Sequence, residues 1–471
     1  MSENVLRTSA TKKCLIVTFK NQKQMKYFII SIIALAIPCM AGAQTYSLQQ
    51  CKDLAMEHNV QMKNKKLDVD AAKEVKKAAF TKYFPQVSAS AYTYKFTDPL
   101  IDVELPGGNL PVYDGNPANL QTATEFAYFP GMAMSMLESG VIATATATQS
   151  LYAGGRIATG NKLANIGVEV NQLQLAAMQK EVLLSTEKQY WQIISLTQKK
   201  KTLQDYIRLL DTLHKDVSNA FEAGMVNLND LLKVELKQNE LQINLSKLTN
   251  GTELAKSAFC QYIGLQYNDS IGFTDTVIVE GTPELYATNH LEALHNRDEY
   301  KMLEKSSEAE HYKTKLQRGE YLPQAAIGVG ALYLDIMDEM GDGGDYGVAF
   351  GTISIPISGW WEAKHKMKER RIKEEQNKNK VNDTNEKLLL QMQQGQNLLS
   401  EAYKQVQLAK KSVSQAEENL RVNQNNYDAG MVNVSDVLDA QAQLQQSHNA
   451  YTDALTQYRI AKVNYLQVTG R

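Results

Sequence analysis

Two periodicities divide this chain. In two long stretches, residues 156–221 and 361–427, apolar positions recur at spacings of three and four, as in Val413, Ala416 and Leu420. Between them stand Gln, Lys, Glu, Leu and Ala, all good helix formers. No proline occurs from residue 131 to 282 or from 357 to 471, and proline is what most reliably breaks a helix interior. Each stretch holds about 66 residues, which predicts helices roughly 100 Å long. Shorter helical patterns cover 48–82, 228–262, 291–320 and 434–468. Many faces carry amides, including Gln391, Gln393, Gln394 and Gln396. Such weakly amphipathic helices suit a wall wetted on one or both sides better than a dry core.

The second periodicity is strict alternation. It marks four short segments: 87–96 (VSASAYTYKF), 141–152 (VIATATATQSLY), 325–334 (AAIGVGALYL) and 347–357 (GVAFGTISIPI). Their length is that of a tilted strand crossing a bilayer. An acidic, glycine-rich connection, 335–346, joins the last two. The first two are joined by 98–131, whose five prolines predict a long loop. Four strands cannot close a barrel, because about eight is the smallest common number. If they span a membrane the chain must pool them with other copies, and three copies give twelve strands. The expected fold is therefore an α+β membrane protein with very long helical hairpins and four transmembrane strands per chain. An ordinary α+β enzyme with a small sheet leaves the long helices unexplained.

The pattern also repeats. Phe221-Glu-Ala-Gly-Met-Val-Asn-Leu-Asn-Asp-Leu-Leu232 returns as Tyr427-Asp-Ala-Gly-Met-Val-Asn-Val-Ser-Asp-Val-Leu438, with seven of twelve positions identical at an offset of 206. Gly264 and Gly470 share that offset. Tyr83-Phe84-Pro85-Gln86 and Tyr321-Leu322-Pro323-Gln324 are 238 apart, so the first copy carries about 32 extra residues, assigned to the proline-rich connection. Repeats at such spacing signal a duplicated structural unit. The expected units are 44–275 and 276–471, each giving a helix, two strands and a helical hairpin. Gly224 and Gly430 sit where a left-handed residue ends each long helix. Asn227 or Asn229, and Ser435, are the expected N-caps of the helices that follow.

Composition narrows the classes. The net charge of −2 offers no basic field for nucleic acid. The one apolar run near membrane length, about 12 residues from Tyr27, is too short to span as a helix. It follows Met25-Lys26 and precedes Ala41-Gly42-Ala43, the pattern of a secretory signal peptide. Residues 1–43 are therefore expected to be a signal peptide with an upstream extension, removed before Gln44. The mature chain keeps Cys51 and Cys260, either as two buried thiols or, in an oxidising compartment, as a disulfide. Seven histidines show no ligand spacing, His290 and His295 reading as surface residues, and sixteen methionines are scattered. No metal site, cofactor or nucleophile–base set is expected. Trp360-Trp361 reads as an interfacial aromatic anchor below the strands.

The segments Leu48 through Gln86, Leu151-Tyr152-Ala153-Gly154-Gly155-Arg156 and above all Tyr427 through Gly470, with its Asp-Ala-Gly-Met-Val-Asn-Val-Ser-Asp-Val-Leu-Asp-Ala, resemble the outer membrane efflux protein family of TolC-like channels. The resemblance covers roughly 44–471. It implies a homotrimer with a twelve-stranded barrel in outer membrane lipid and a helical tunnel in the periplasm. It further implies docking on a periplasmic adaptor (membrane fusion) protein and an inner-membrane transporter. The implied function is an exit duct for small toxic molecules. A duct for secreted proteins is the alternative, and a structural coiled-coil surface protein is a remote one. The resemblance implies adaptor contact at the hairpin tips, here Gly224, Met225 and Val226 and their counterparts Gly430, Met431 and Val432. It places the periplasmic entrance at Asp436 and Asp439, three apart and so on one helix side, where a trimer makes rings of carboxylates that favour cations. It pairs Tyr427 with Asp230 as a latch; Val432 stands where the family's latch arginine would be. Tyr427 is thus expected to be the remaining polar tie.

Overall fold

The computed structural model describes residues 45–471 apart from 114, 123, 137–138 and 336–342. The signal segment and most of the 335–346 connection lie outside the described residues. The elements run β1 (Thr45–Tyr46), α1 (Leu48–His58), α2 (Val60–Phe80), β2 (Gln86–Lys95), β3 (Ile101–Leu105), β4 (Gly108–Pro111), β5 (Phe126–Phe129), β6 (Met132–Met136), β7 (Ser139–Ala153), α3 (Arg156–Glu222) and α4 (Leu228–Ile263). Then follow β8 (Gly272–Phe273), α5 (Pro283–Tyr286), α6 (His290–Leu294), α7 (Asp298–Gly319), β9 (Gln324–Asp335), β10 (Gly344–Ser354), α8 (Gly359–Asp428) and α9 (Val434–Val468).

The two proline-free stretches form unbroken helices, α3 of 67 residues and α8 of 70, each about 100 Å long. Their neighbours set the layer order α4–α3–α9–α8, with α2 and α7 also packed on α3. Three apolar clusters hold this layer together. One, toward the hairpin tips, joins Leu210 and Val217 of α3 to Val234 and Leu241 of α4 and to Val434 and Val437 of α9. A second joins Met392 and Leu399 of α8 to Tyr458 and Tyr465 of α9. The third packs α1, α2, α3 and α4 through Cys51, Met62, Tyr190, Trp191, Phe259 and Ile263. The outer helices α4 and α8 keep exposed leucines: Leu228, Leu232, Leu236 and Leu254 on one, Leu390, Leu398 and Leu408 on the other.

The four expected strands form one antiparallel sheet in the order β2-β7-β9-β10. Its register sorts side chains by face. Val87, Ala147, Val329 and Ala349 fall in line, as do Ala89, Ala145 and Ala331, so one face is apolar. The other face aligns Ser88 with Thr146 and Gly330, and Ser90 with Thr144. Hydroxyl pairs cross it at 3.1 Å (Ser88–Thr146) and 2.8 Å (Ser90–Thr144). Among the described residues the outer edges of β2 and β10 are unpaired.

Several local expectations are corrected. The 48–82 helix breaks at Asn59, whose side chain accepts from the N–H groups of Gln61 and Met62 and so starts a new helix. The 291–320 helix likewise divides, at residues 295–297, into α6 and α7. The proline-rich 98–131 connection is not a plain loop: β3 pairs with β6 and β4 with β5, extending the β2–β7 hairpin. Alternation in Ile-Asp-Val-Glu-Leu supports a ladder that the flanking prolines punctuate rather than prevent. The sequence also gave no hint of the short parallel pairing of β1 with β8. His290 is half-buried against Tyr465, its Nε2 3.2 Å from the phenol oxygen. Cys51 and Cys260 are both buried free thiols; burial above all, then the neighbouring Cys260, pushes Cys51 up to about 12. Trp360 donates its indole N–H to the Tyr321 carbonyl at 3.0 Å, and both tryptophans are exposed beside the sheet.

Candidate functional site

The two hairpin tips are built alike. Helix α3 ends at Gly224 (φ 72°) and α8 at Gly430 (φ 71°), where an L side chain would be strained. Around the first glycine, Met225 N–H donates to Ala220 O at 2.8 Å and Gly224 N–H to Phe221 O at 2.9 Å. Met431 N–H to Asn426 O (2.8 Å) and Gly430 N–H to Tyr427 O (2.9 Å) repeat the pattern. This double bond pattern satisfies the helix's last carbonyls. Met225 and Met431 stand 80% and 70% exposed, while Val226 packs on the tip cluster and Val432 is half-buried.

The next helices start on asparagines. Asn227 accepts from the Asp230 N–H at 3.1 Å. Asn433, not Ser435, caps α9: it accepts from the N–H groups of Ser435 (2.9 Å) and Asp436 (3.3 Å). The position nearest the tip wins because its extended backbone presents the side chain to the free N–H groups. Asp436 closes the box by accepting the Asn433 N–H at 3.1 Å. Its carboxylate is thereby tied to the helix start, whereas the exposed Asp439, one turn on, has no ion-pair partner among the described residues.

Tyr427 packs against the tip cluster. Burial first, then the carboxylates of Asp230, Asp216 and Asp428, raise its phenol above the ordinary value. No hydrogen bond joins Tyr427 to Asp230, so the expected tyrosine tie is not made in this arrangement. Among the described residues the polar link between the hairpin tips is Lys233, whose Nζ donates to Ser435 Oγ at 2.9 Å while lying 3.6 Å from Asp230; farther from the tips, Lys199 pairs with Asp453. Lys233 was visible in the sequence as the residue standing where the second repeat has Asp439, but its reach across to Ser435 needs the packing.

Above the tips, the third cluster is reinforced by polar contacts. Tyr190 donates to Asp275 at 2.7 Å, and Lys52 and the Trp191 indole both bond Glu187. Arg459 clasps Glu280 through two bonds of 2.8 and 2.9 Å and lies over the Trp191 ring. Among the described residues no group of side chains could hold a metal ion.

Residues 291–471 match the family model described as outer membrane efflux protein. Solved structures agree in fold. VceC, the outer membrane protein of Vibrio cholerae, superposes with a TM-score of 0.67 at 12% identity, covering 90% of this chain and 96% of its own. The Campylobacter jejuni outer membrane channel CmeC gives 0.70 at 13% identity, with 90% and 85% covered. The open-state Neisseria gonorrhoeae channel MtrE gives 0.69 at 14%, with 90% and 88% covered. A search of curated proteins returned no match. The family match and the fold likeness point to the outer membrane, and the described helices include none long and apolar enough to cross a membrane.

Proposed function

We propose that the chain is the exit duct of a tripartite efflux pump, a homotrimer whose four-stranded sheets join into one twelve-stranded barrel. The observation that carries this reading is the open sheet: two edges unpaired among the described residues, an apolar face, and a face on which β2 and β7 present Ser88, Ser90, Thr144 and Thr146 while β9 and β10 add Gly330, Leu332 and Val348. In lipid, backbone polar groups at an open edge have no partner, so the sheet must close with other copies. The apolar face then meets lipid and the hydroxyl face lines a wet lumen. Exposed leucines on the outer helices α4 and α8 give the helical wall matching seams. The duplicated units, 44–275 and 276–471, supply the same wall and barrel parts twice.

In this reading the helices cross the periplasm, and the tips around Gly224 and Gly430 meet a periplasmic adaptor fed by an inner-membrane transporter. Asp436 and Asp439 ring the entrance, with Asp439 the freer carboxylate. The cargo is small toxic molecules. Light scattering on the detergent-extracted mature protein, corrected for bound detergent, tests the assembly. A trimer is expected; a monomer sinks the shared barrel and the duct with it.

A further inference from the structure

Helix α8 begins where the sheet ends, and the chain changes chemistry there in a fixed order. Ile353, in line with the apolar face of β10, is 79% exposed, and Ile355 and Ile357 stay exposed beyond the strand. Trp360 and Trp361 follow, and Trp361 is again 79% exposed. Next come Lys364, Lys368 and Arg371, all exposed. Spacings of three, four and three put Trp361 and the three cations on one stripe of the helix. Glu362 lies about 100° round the helix from Trp361. The first acid on the stripe, Glu375, stands about 21 Å from Trp361, past the last of the cations.

These cations are left free by their surroundings. Lys366 and Lys373 pair with Glu369, and Arg370 pairs with Glu310 of α7 at 2.6 Å. Lys364, Lys368 and Arg371 have no ion-pair partner among the described residues. Nor does the fold demand them. At the offset of 206 that relates the repeats, the same positions at the start of α3 are Gly155, Ala158, Lys162 and Asn165, and Lys162 is used over the Tyr312 ring. The exposed leucines of α8 begin only at Leu390, about 28 Å past Arg371, so the stripe stands clear of the seam ascribed to neighbouring copies.

Hydrocarbon, aromatic belt and phosphate are the layers met in turn on leaving a bilayer. Helical side chains lean toward the N-terminus, here toward the sheet, and the long stems of lysine and arginine carry their charge back to the headgroups. Lys364 stands about 4.5 Å and Lys368 about 10.5 Å along the axis from Trp361, against a headgroup layer of about 5–8 Å. Arg371, at about 15 Å, is still within a Debye length of that layer. We infer, on the reading that the sheet spans the outer membrane, that Trp361, Lys364, Lys368 and Arg371 bind the phosphate of an acidic phospholipid in the leaflet facing the helices.

The test uses the fluorescence of the three tryptophans in the full mature chain, reconstituted in phosphatidylcholine nanodiscs. Trp191 is 3% exposed inside a helical cluster and gives a constant background. Quenching is compared between brominated phosphatidylglycerol and brominated phosphatidylcholine. The acidic lipid should be preferred at least about fivefold, the scale of one cation at an anionic surface. Lys364→Gln, Lys368→Gln and Arg371→Gln combined should bring it within about twofold of phosphatidylcholine and leave quenching by the latter unchanged. An unchanged melting temperature shows that this variant folds. Equal quenching by the two lipids in wild type overturns the lipid site alone, as when a neighbouring copy covers the stripe, and leaves the sheet in the membrane. A preference that the triple variant keeps overturns it too. Quenching by neither lipid overturns the membrane placement and the site with it.

Discussion

Lys233→Met removes the one polar tie seen between the two hairpin tips while keeping most of the apolar stem. The Nζ–Ser435 Oγ bond is 2.9 Å long and part-buried. A hydrogen bond from a charged donor contributes about 1.5–3 kcal/mol when well shielded, but the Lys233 side chain is 39% exposed, which lowers the figure to about 1 kcal/mol. The Asp230 contact, at 3.6 Å within the same helix, holds the lysine in place but spans nothing. If three copies release their tips together, about 3 kcal/mol is lost, shifting the closed-to-open ratio roughly 100-fold. Single-channel recording in planar bilayers reads that ratio directly. Ser435→Ala should produce a similar shift, and the double variant little more than either alone, because both remove the same bond. An intact Lys233→Met trimer whose open fraction stays within about threefold of wild type would refute the assignment of Lys233 as the tie.

Gly430→Val should destabilise the second tip by about 1–2 kcal/mol through its left-handed backbone alone, since open space surrounds the position; hydrogen exchange at Met431 and Asn433 should speed up while the Tyr458 region is unchanged. Arg459→Met should show a pH signature. Its hydrogen bonds to Glu280 are the main cause holding that carboxyl below the ordinary 4.5, so the stabilisation is full above about pH 4.5 and fades as pH falls through the depressed value. The melting-temperature gap between wild type and variant should therefore close on acidification, and a gap that is constant or widens in acid contradicts the linkage. Cys51 and Cys260, both buried free thiols, should resist alkylation in the native protein and take up two labels after denaturation, read by intact mass; loss of both labels in unreduced protein would reveal a disulfide.

The long elements were legible because their signals are redundant. In α8, seventy residues of helix formers without a proline leave no competing structure, and in the sheet strict alternation fixes which face is buried. The misses occur where one local bond outweighs a regional pattern. Helix-forming sequence continues on both sides of Asn59, so only its side-chain capping bonds reveal the break. At the second tip both Asn433 and Ser435 are good cap residues, and the choice follows from backbone shape, not residue type. In 98–131, turn residues between short strands outvote the strands in composition, though the Ile-Asp-Val-Glu-Leu alternation was there to be read. For the entrance, Asp436 and Asp439 look equivalent in sequence. The fold separates them by giving one carboxylate a backbone partner.

The unbroken length of α3 has a mechanical meaning. From the aromatic cluster at Tyr190 and Trp191 to the helix end at Glu222, some 48 Å of unbroken helix runs on, packed with α4 and α9 through the tip cluster so that they move as one arm. With that cluster as fulcrum, each degree of tilt swings the tip by about 0.8 Å. A rotation of only a few degrees, small enough to leave the rings of Tyr190, Phe259 and Phe273 in edge contact, thus becomes a displacement of several ångströms where the lever ends. The hinge can stay tightly packed while the far end travels.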